Sequence, residues 1–164
     1  MILNFVFVLL LQGLQTLPTP PQTPAPPVSS TTNLTVVVGL NDGMKLTVSD
    51  PEFSGFIEGR SGDAVLMYRE GGFHGEMPLK TVSRIEFGSY KRGKPFPMKV
   101  MLRSGEELDV ESERRDFMTL RGKTDFGIVT VRHPDPVSGP LQLSTRKPNR
   151  KKDLTIQYLE FPAS

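Results

Sequence analysis

Cysteine and tryptophan are absent from the 164 residues, and histidine occurs only twice. Without cysteine the chain has no disulfide, no thiolate nucleophile and no Cys-ligated zinc. His74 and His133 have no second His or Cys at metal-ligand spacing, so neither is read as a ligand. An excess of one charge is missing too. Lys and Arg number 20 against 18 Asp and Glu, a net charge of +2 with the two signs well mixed. That is the surface of a soluble domain rather than a global footprint for a polyanion. Long uninterrupted helical patterns are lacking as well. Fifteen Gly and 15 Pro punctuate the sequence, which favours short strands joined by turns.

Charge is missing altogether from residues 1–30. Ile2 to Leu11 is apolar except for Asn4, and ten such residues as a helix span about 15 Å, half of a bilayer core. We read residues 1–17 as an export signal, with an uncleaved anchor or a folded segment as the alternatives. No Lys or Arg precedes the run, and Pro26 follows the best small-residue cleavage site, Thr23-Pro24-Ala25. Residues 18–32 carry Pro18, Pro20, Pro21, Pro24, Pro26 and Pro27 and read as an extended spacer. Asn33-Leu34-Thr35 fits a glycosylation sequon, which has meaning only in a eukaryotic secretory route.

What the rest of the chain does contain is a hairpin, twice. Val38, Leu40, Gly43, Leu46 and Val48 recur as Val100, Leu102, Gly105, Leu108 and Val110 at a constant spacing of 62 residues. Each set alternates apolar and polar positions around a Gly turn, the pattern of strand–turn–strand. Between the copies, Pro51 is expected to interrupt the sheet. Phe53–Glu58, Ala64–Tyr68, Phe73–Met77 and Ser83–Phe87 read as strands, with turns at Arg60–Asp63 and Glu70–Gly72 and a single helical turn over Pro78–Val82.

After the second hairpin, Phe117–Leu120 and Phe126–Arg132 read as strands joined by a turn over Arg121–Asp125. A helix over Glu111–Arg121 is disfavoured, because apolar positions 108, 110, 117, 118 and 120 do not keep helical spacing. Leu154–Phe161 closes the pattern, with Leu159-Glu160-Phe161 standing where Ile85-Glu86-Phe87 stood, now at a spacing of 74.

The order D-G-x-x-L, strand, Gly turn, then M-P-L-x-x-V-x-x-I-E-F is carried by Asp42, Gly43, Leu46, Met77, Pro78, Leu79, Val82, Ile85 and Phe87. It resembles the small SH3-like or Sm-like β-barrel repeats of exported bacterial proteins. The resemblance covers residues 34–88 and implies a fold without importing a catalytic group. The expectation is an all-β protein of two tandem five-stranded barrels packed together behind the N-terminal segment. Residues 33–89 form the first unit, 90–97 a joint and 98–162 the second unit, with an inserted loop at 133–153. Phe96 is placed near the seam, since units of this size without a disulfide or metal gain from packing on each other.

No catalytic residue, metal or cofactor is assigned. His133-Pro134-Asp135 matches the tripeptide of J-domain co-chaperones by coincidence, because no pair of long helices flanks it. Asp42, Asp63, Asp125 and Asp135 fall in turns, where aspartate serves the backbone. The strongest charge feature is the basic cluster Arg146, Lys147, Arg150, Lys151 and Lys152, with Lys91, Arg92 and Lys94 in the joint. These residues are the candidates for contact with a polyanion, whether nucleic acid, anionic headgroups or acidic wall polymer. Blunting of a strand edge by lysine is the plainer reading of the same residues. The leading expectation is a non-enzymatic interaction or scaffold module of the cell envelope, recognising a protein or envelope polymer through loops or a strand edge. Polyanion binding is the first alternative, and an accessory domain of an enzyme the second.

Overall fold

The computed structural model describes residues 34–89, 91, 93–113, 117–135 and 155–163. The export segment, the spacer, the sequon's Asn33 and most of the 133–153 loop lie outside the described residues. Eleven strands follow in order: β1 (Thr35–Leu40), β2 (Lys45–Gly55), β3 (Ile57–Arg60), β4 (Val65–Glu70), β5 (Phe73–Pro78), β6 (Val82–Phe87), β7 (Pro97–Leu102), β8 (Glu107–Ser112), β9 (Met118–Thr124), β10 (Gly127–His133) and β11 (Ile156–Glu160). Single 3-10 turns occupy Ser61–Asp63 and Leu79–Thr81. No helix among the described residues is long and apolar enough to cross a membrane.

The repeated hairpin is present twice with one turn geometry. In the first, Gly43 N–H donates to the Leu40 carbonyl at 3.1 Å and Leu40 N–H to the Met44 carbonyl at 2.9 Å. In the second, Gly105 N–H donates to Leu102 at 3.0 Å and Leu102 N–H to Glu106 at 2.8 Å. Gly43 and Gly105 hold φ of +86° and +91°, the left-handed region that costs glycine nothing.

These strands do not sort into two barrels. One closed antiparallel barrel of eight strands forms, with further strands outside it. Around the ring the order is β1-β2-β3-β4-β8-β7-β6-β11 and back to β1, five strands from the first half of the chain and three from the second. The halves exchange elements. β6, the last strand of the first half, pairs with β7, while β11, the last strand of the second, pairs with β1. β4 pairs with β8, and β9 with β2. At the centre of the exchange β6 and β11 pair with each other, Ile85 opposite Leu159. On either side Val100 faces Ile85 and Val38 faces Leu159. Ile85 and Leu159, matched at a spacing of 74, are therefore direct cross-strand neighbours, and Val100 and Val38, matched at 62, flank them in the same row.

Exchange follows from the accounting of backbone hydrogen bonds. A curled sheet of five short strands leaves edges, and each half covers the other's. The interior holds Val36, Val38, Val48, Leu66, Ile85, Val100, Leu120 and Leu159, none more than 1% exposed. Burying each such side chain contributes roughly 1.5–3 kcal/mol.

Two local readings of the sequence are corrected. Pro51 does not end the strand. β2 runs through it with a register break between Ser49 and Glu52, the kind of irregularity where proline is tolerated in a sheet. Arg121–Thr124 is not a turn but the second half of β9. Gly122 is there for close approach: a Cβ on it would overlap the Val48 side chain and stand 2.9 Å from the Ser49 carbonyl oxygen.

Two outcomes follow. A chain ending at Gly88 keeps β1 to β6 but strips β6 of both neighbours, and it should show no cooperative thermal transition by circular dichroism where the full chain does. Gly122→Ala should destabilise the full chain by about 1–3 kcal/mol in chemical denaturation, because β2 and β9 must separate to admit the methyl.

Candidate interaction site

Two hairpins reach beyond the barrel. β4 and β5 are joined by Gly71-Gly72, and β9 and β10 by Asp125-Phe126, with Glu70 opposite Phe73 and Thr124 opposite Gly127. They correspond at a spacing of 54 residues: Leu66 faces Met77 in one, and Leu120 faces Val131 in the other. Towards the barrel both arms bury these residues. Towards their tips they leave Phe73 81%, Phe126 67% and Ile128 59% exposed. The second tip is held by Thr124. Its hydroxyl accepts from Phe126 N–H at 3.2 Å and donates to the Gly127 carbonyl at 2.9 Å, which fixes the Phe126 backbone with its ring in solvent.

Beneath the first tip lies a groove of about 500 Å³, floored by β6, β7 and β8 and walled by Arg69, Glu70 and Gly71. Glu86, Lys99 and Asp109 stand side by side across its floor because they share one register row. Arg69 closes one wall by donating twice to Glu111 Oε2, at 3.0 Å from Nε and 2.7 Å from Nη2. Lys99 Nζ sits 3.5 Å from Glu107, and Arg84 Nε donates to Glu86 at 2.9 Å. Among the described residues four carboxylates and two cations line the groove, with no hydroxyl and no imidazole. Its chemistry suits weak recognition of a cationic or amide-bearing surface.

The residues singled out for polyanion contact are not gathered here. Lys91 and Lys94 are exposed in the joint. Arg92, Arg146, Lys147, Arg150, Lys151 and Lys152 lie outside the described residues. His74 is exposed on β5, its Nδ1 3.1 Å from Glu113 Oε1. No cluster of three or more His, Asp or Glu that could hold a metal occurs among the described residues.

His133, dismissed as part of a chance tripeptide, proves to be the buried imidazole of an aromatic cluster. Its ring stacks on Phe87 and meets Phe96 edge-on, each with centroids 4.3 Å apart. Phe56 completes the group, 6.0 Å from Phe87 and 6.2 Å from Phe96. Neither His133 nitrogen has a hydrogen-bond partner among the described residues. Burial pushes its pKa down to about 4, with the nearby Ile156 backbone working against the shift. Nothing in the sequence marked this position, since the partners come from three distant segments.

A second tight feature braces the bend in β2. Asp50 and Ser61 both hold positive φ, +52° and +47°. Ser61 Oγ donates to Asp50 Oδ1 at 3.0 Å. That hydrogen bond, with the Arg60 and Lys123 cations nearby, lowers the Asp50 pKa. Aspartate tolerates the left-handed region better than most residues, so the pair reads as a clamp on the corner of β2.

Comparison of the chain with family models, with curated proteins and with solved structures finds no match.

The cluster makes a pH prediction. With a folded pKa of about 4 against an ordinary 6.5, the unfolded chain binds the proton more readily. His133 therefore costs nothing above pH 6.5 and progressively destabilises the fold as pH falls towards 4. The full effect is on the order of 3 kcal/mol. His133→Phe should flatten that interval of the stability–pH curve measured by urea denaturation, while leaving the neutral-pH value within the range of a core repacking. An equally steep curve for the variant would assign the acid sensitivity elsewhere.

Proposed function

We propose that this chain is a non-catalytic interaction module of the cell envelope, delivered by the export segment 1–17 and held off by the Pro-rich spacer 18–32. One observation carries the reading: among the described residues the most exposed large apolar side chains, Phe73, Phe126 and Ile128, stand on the arm tips, and the barrel itself leaves Met44 half exposed. Apolar side chains grouped on projecting elements are a mark of protein docking. Phe126 and Ile128 on the β9–β10 arm supply the anchors for a protein partner. The acidic balance of the groove favours basic or amide-rich contacts at the other arm. The matched hairpins, arms and closing strands support descent of both halves from one duplicated unit of the SH3-like or Sm-like kind, fused here into a single barrel.

The test places a photoreactive phenylalanine analogue at position 126 in the native host. One discrete cross-linked partner is expected, lost on Ile128→Glu and kept when the analogue stands at position 80 only as background. Cross-linking that ignores Ile128→Glu would remove the β9–β10 arm from the reading. Salt-steep retention of single-stranded RNA on filters, abolished by neutralising Arg146, Lys147, Arg150, Lys151 and Lys152, would replace this reading with polyanion binding.

A further inference from the structure

Among the described residues the sheet has two ends, β5 and β10, each paired on one side only. Natural edge strands are commonly guarded by lysine, bulges or an inward charge. The sequence Phe73-His74-Gly75-Glu76-Met77-Pro78 has no lysine, its register with β4 is unbroken over all six residues, and its proline guards only the last position, beyond the outward groups of His74 and Glu76.

That register decides which amides are offered. A two-residue turn makes Glu70 and Phe73 a hydrogen-bonded pair, and the pattern then alternates. Tyr68 with Gly75 and Leu66 with Met77 are hydrogen-bonded pairs as well. The N–H and C=O groups of His74 and Glu76 therefore point away from β4, and none has a partner among the described residues. Both side chains are exposed.

We infer that two copies of this chain pair antiparallel through β5 about an axis at Gly75, giving a two-fold dimer with one sheet running through both barrels. In that register His74 of each copy faces Glu76 of the other, and Phe73 faces Met77. The outward amides then form four backbone hydrogen bonds, two for each His74–Glu76 pair. His74 uses Nδ1 towards Glu113 of its own chain, leaving Nε2 for Glu76 of the second copy. Phe73, the most exposed of the large apolar side chains at 81%, comes to lie against Met77 at the close spacing of a non-hydrogen-bonded pair. Self-complementarity selects the second copy as the occupant: a base sits one position before the axis and an acid one position after it. The inference stands apart from the proposed envelope partner, whose anchors are on the opposite arm.

The absence of cysteine makes the register testable on the full chain. His74→Cys mixed with Glu76→Cys should oxidise to a disulfide-linked heterodimer, since directly paired positions lie about 5.5 Å apart at Cα. Either variant alone places its thiols on diagonal positions beyond disulfide reach and should cross-link about tenfold more slowly or less. Sedimentation equilibrium of the unaltered chain should show a monomer–dimer equilibrium. Glu76→Pro, which removes an outward amide and leaves the β4 ladder whole, should be monomeric with an unchanged melting transition. A monomer at every concentration, a dimer that survives Glu76→Pro, or equal cross-linking in all three cysteine mixtures would each overturn the inference.

Discussion

Backbone amides at the edge of a short curled sheet must find partners, and in this chain each half finds them in the other. β6 lies between β7 and β11, and β11 between β6 and β1. Ile85 and Leu159, both fully buried, meet where the two closing strands cross the boundary. The cost of leaving these strands unpaired is what binds the halves into one body. The close approach at Gly122, the bend at Asp50 and Pro51, and the outward reach of both arms all follow from β2 having to serve β1, β3 and β9 along its length.

The second constraint is aromatic. Phe96 enters from the joint between the halves and is locked by Ser112. Phe96 N–H donates to the Ser112 hydroxyl at 2.8 Å, and Ser112 N–H donates back to the Phe96 carbonyl at 2.8 Å. This fixes Phe96 against Phe56, Phe87 and His133, which come from the corner before β3, from β6 and from β10 respectively. A buried imidazole among phenylalanines is tolerable only while neutral. The seam is therefore one place where acid is expected to weaken the fold.

Division of labour between barrel and arms follows from the same geometry. Inward positions are consumed by packing, so the barrel wall has only its outer charges to present, and those are largely cross-strand pairs such as Arg69 with Glu111. Exposed ion pairs of this kind contribute little to affinity or stability. The arms extend past the point where a second layer can cover them. Phe73, Phe126 and Ile128 are exposed for that reason, which makes the arms the elements with surface to spend on recognition.

The hairpins at 38–48 and 100–110, the strand ending in Ile85-Glu86-Phe87 and its counterpart ending in Leu159-Glu160-Phe161 were legible because their signals are local. Alternation sets which face is buried, and glycine permits the turn. The Leu79–Thr81 turn after Met77-Pro78 was legible for the same reason. The candidate surface was not. Phe73 and Phe126 look like any strand phenylalanine until the sheet ends beside them, and the basic residues that stood out in the sequence form no part of the described arms. Gly122 read as a turn because nothing in its neighbours reveals that β2 passes over it.

The one-dimensional pattern thus determined the strands, their faces and their turns, since these depend on residues a few positions apart. Which strand lies beside which was settled only in three dimensions. Like strands with like patterns can satisfy one another's hydrogen bonds in several arrangements, and the choice of one interleaved barrel over two separate ones turns on edge closure and core volume summed over the whole chain.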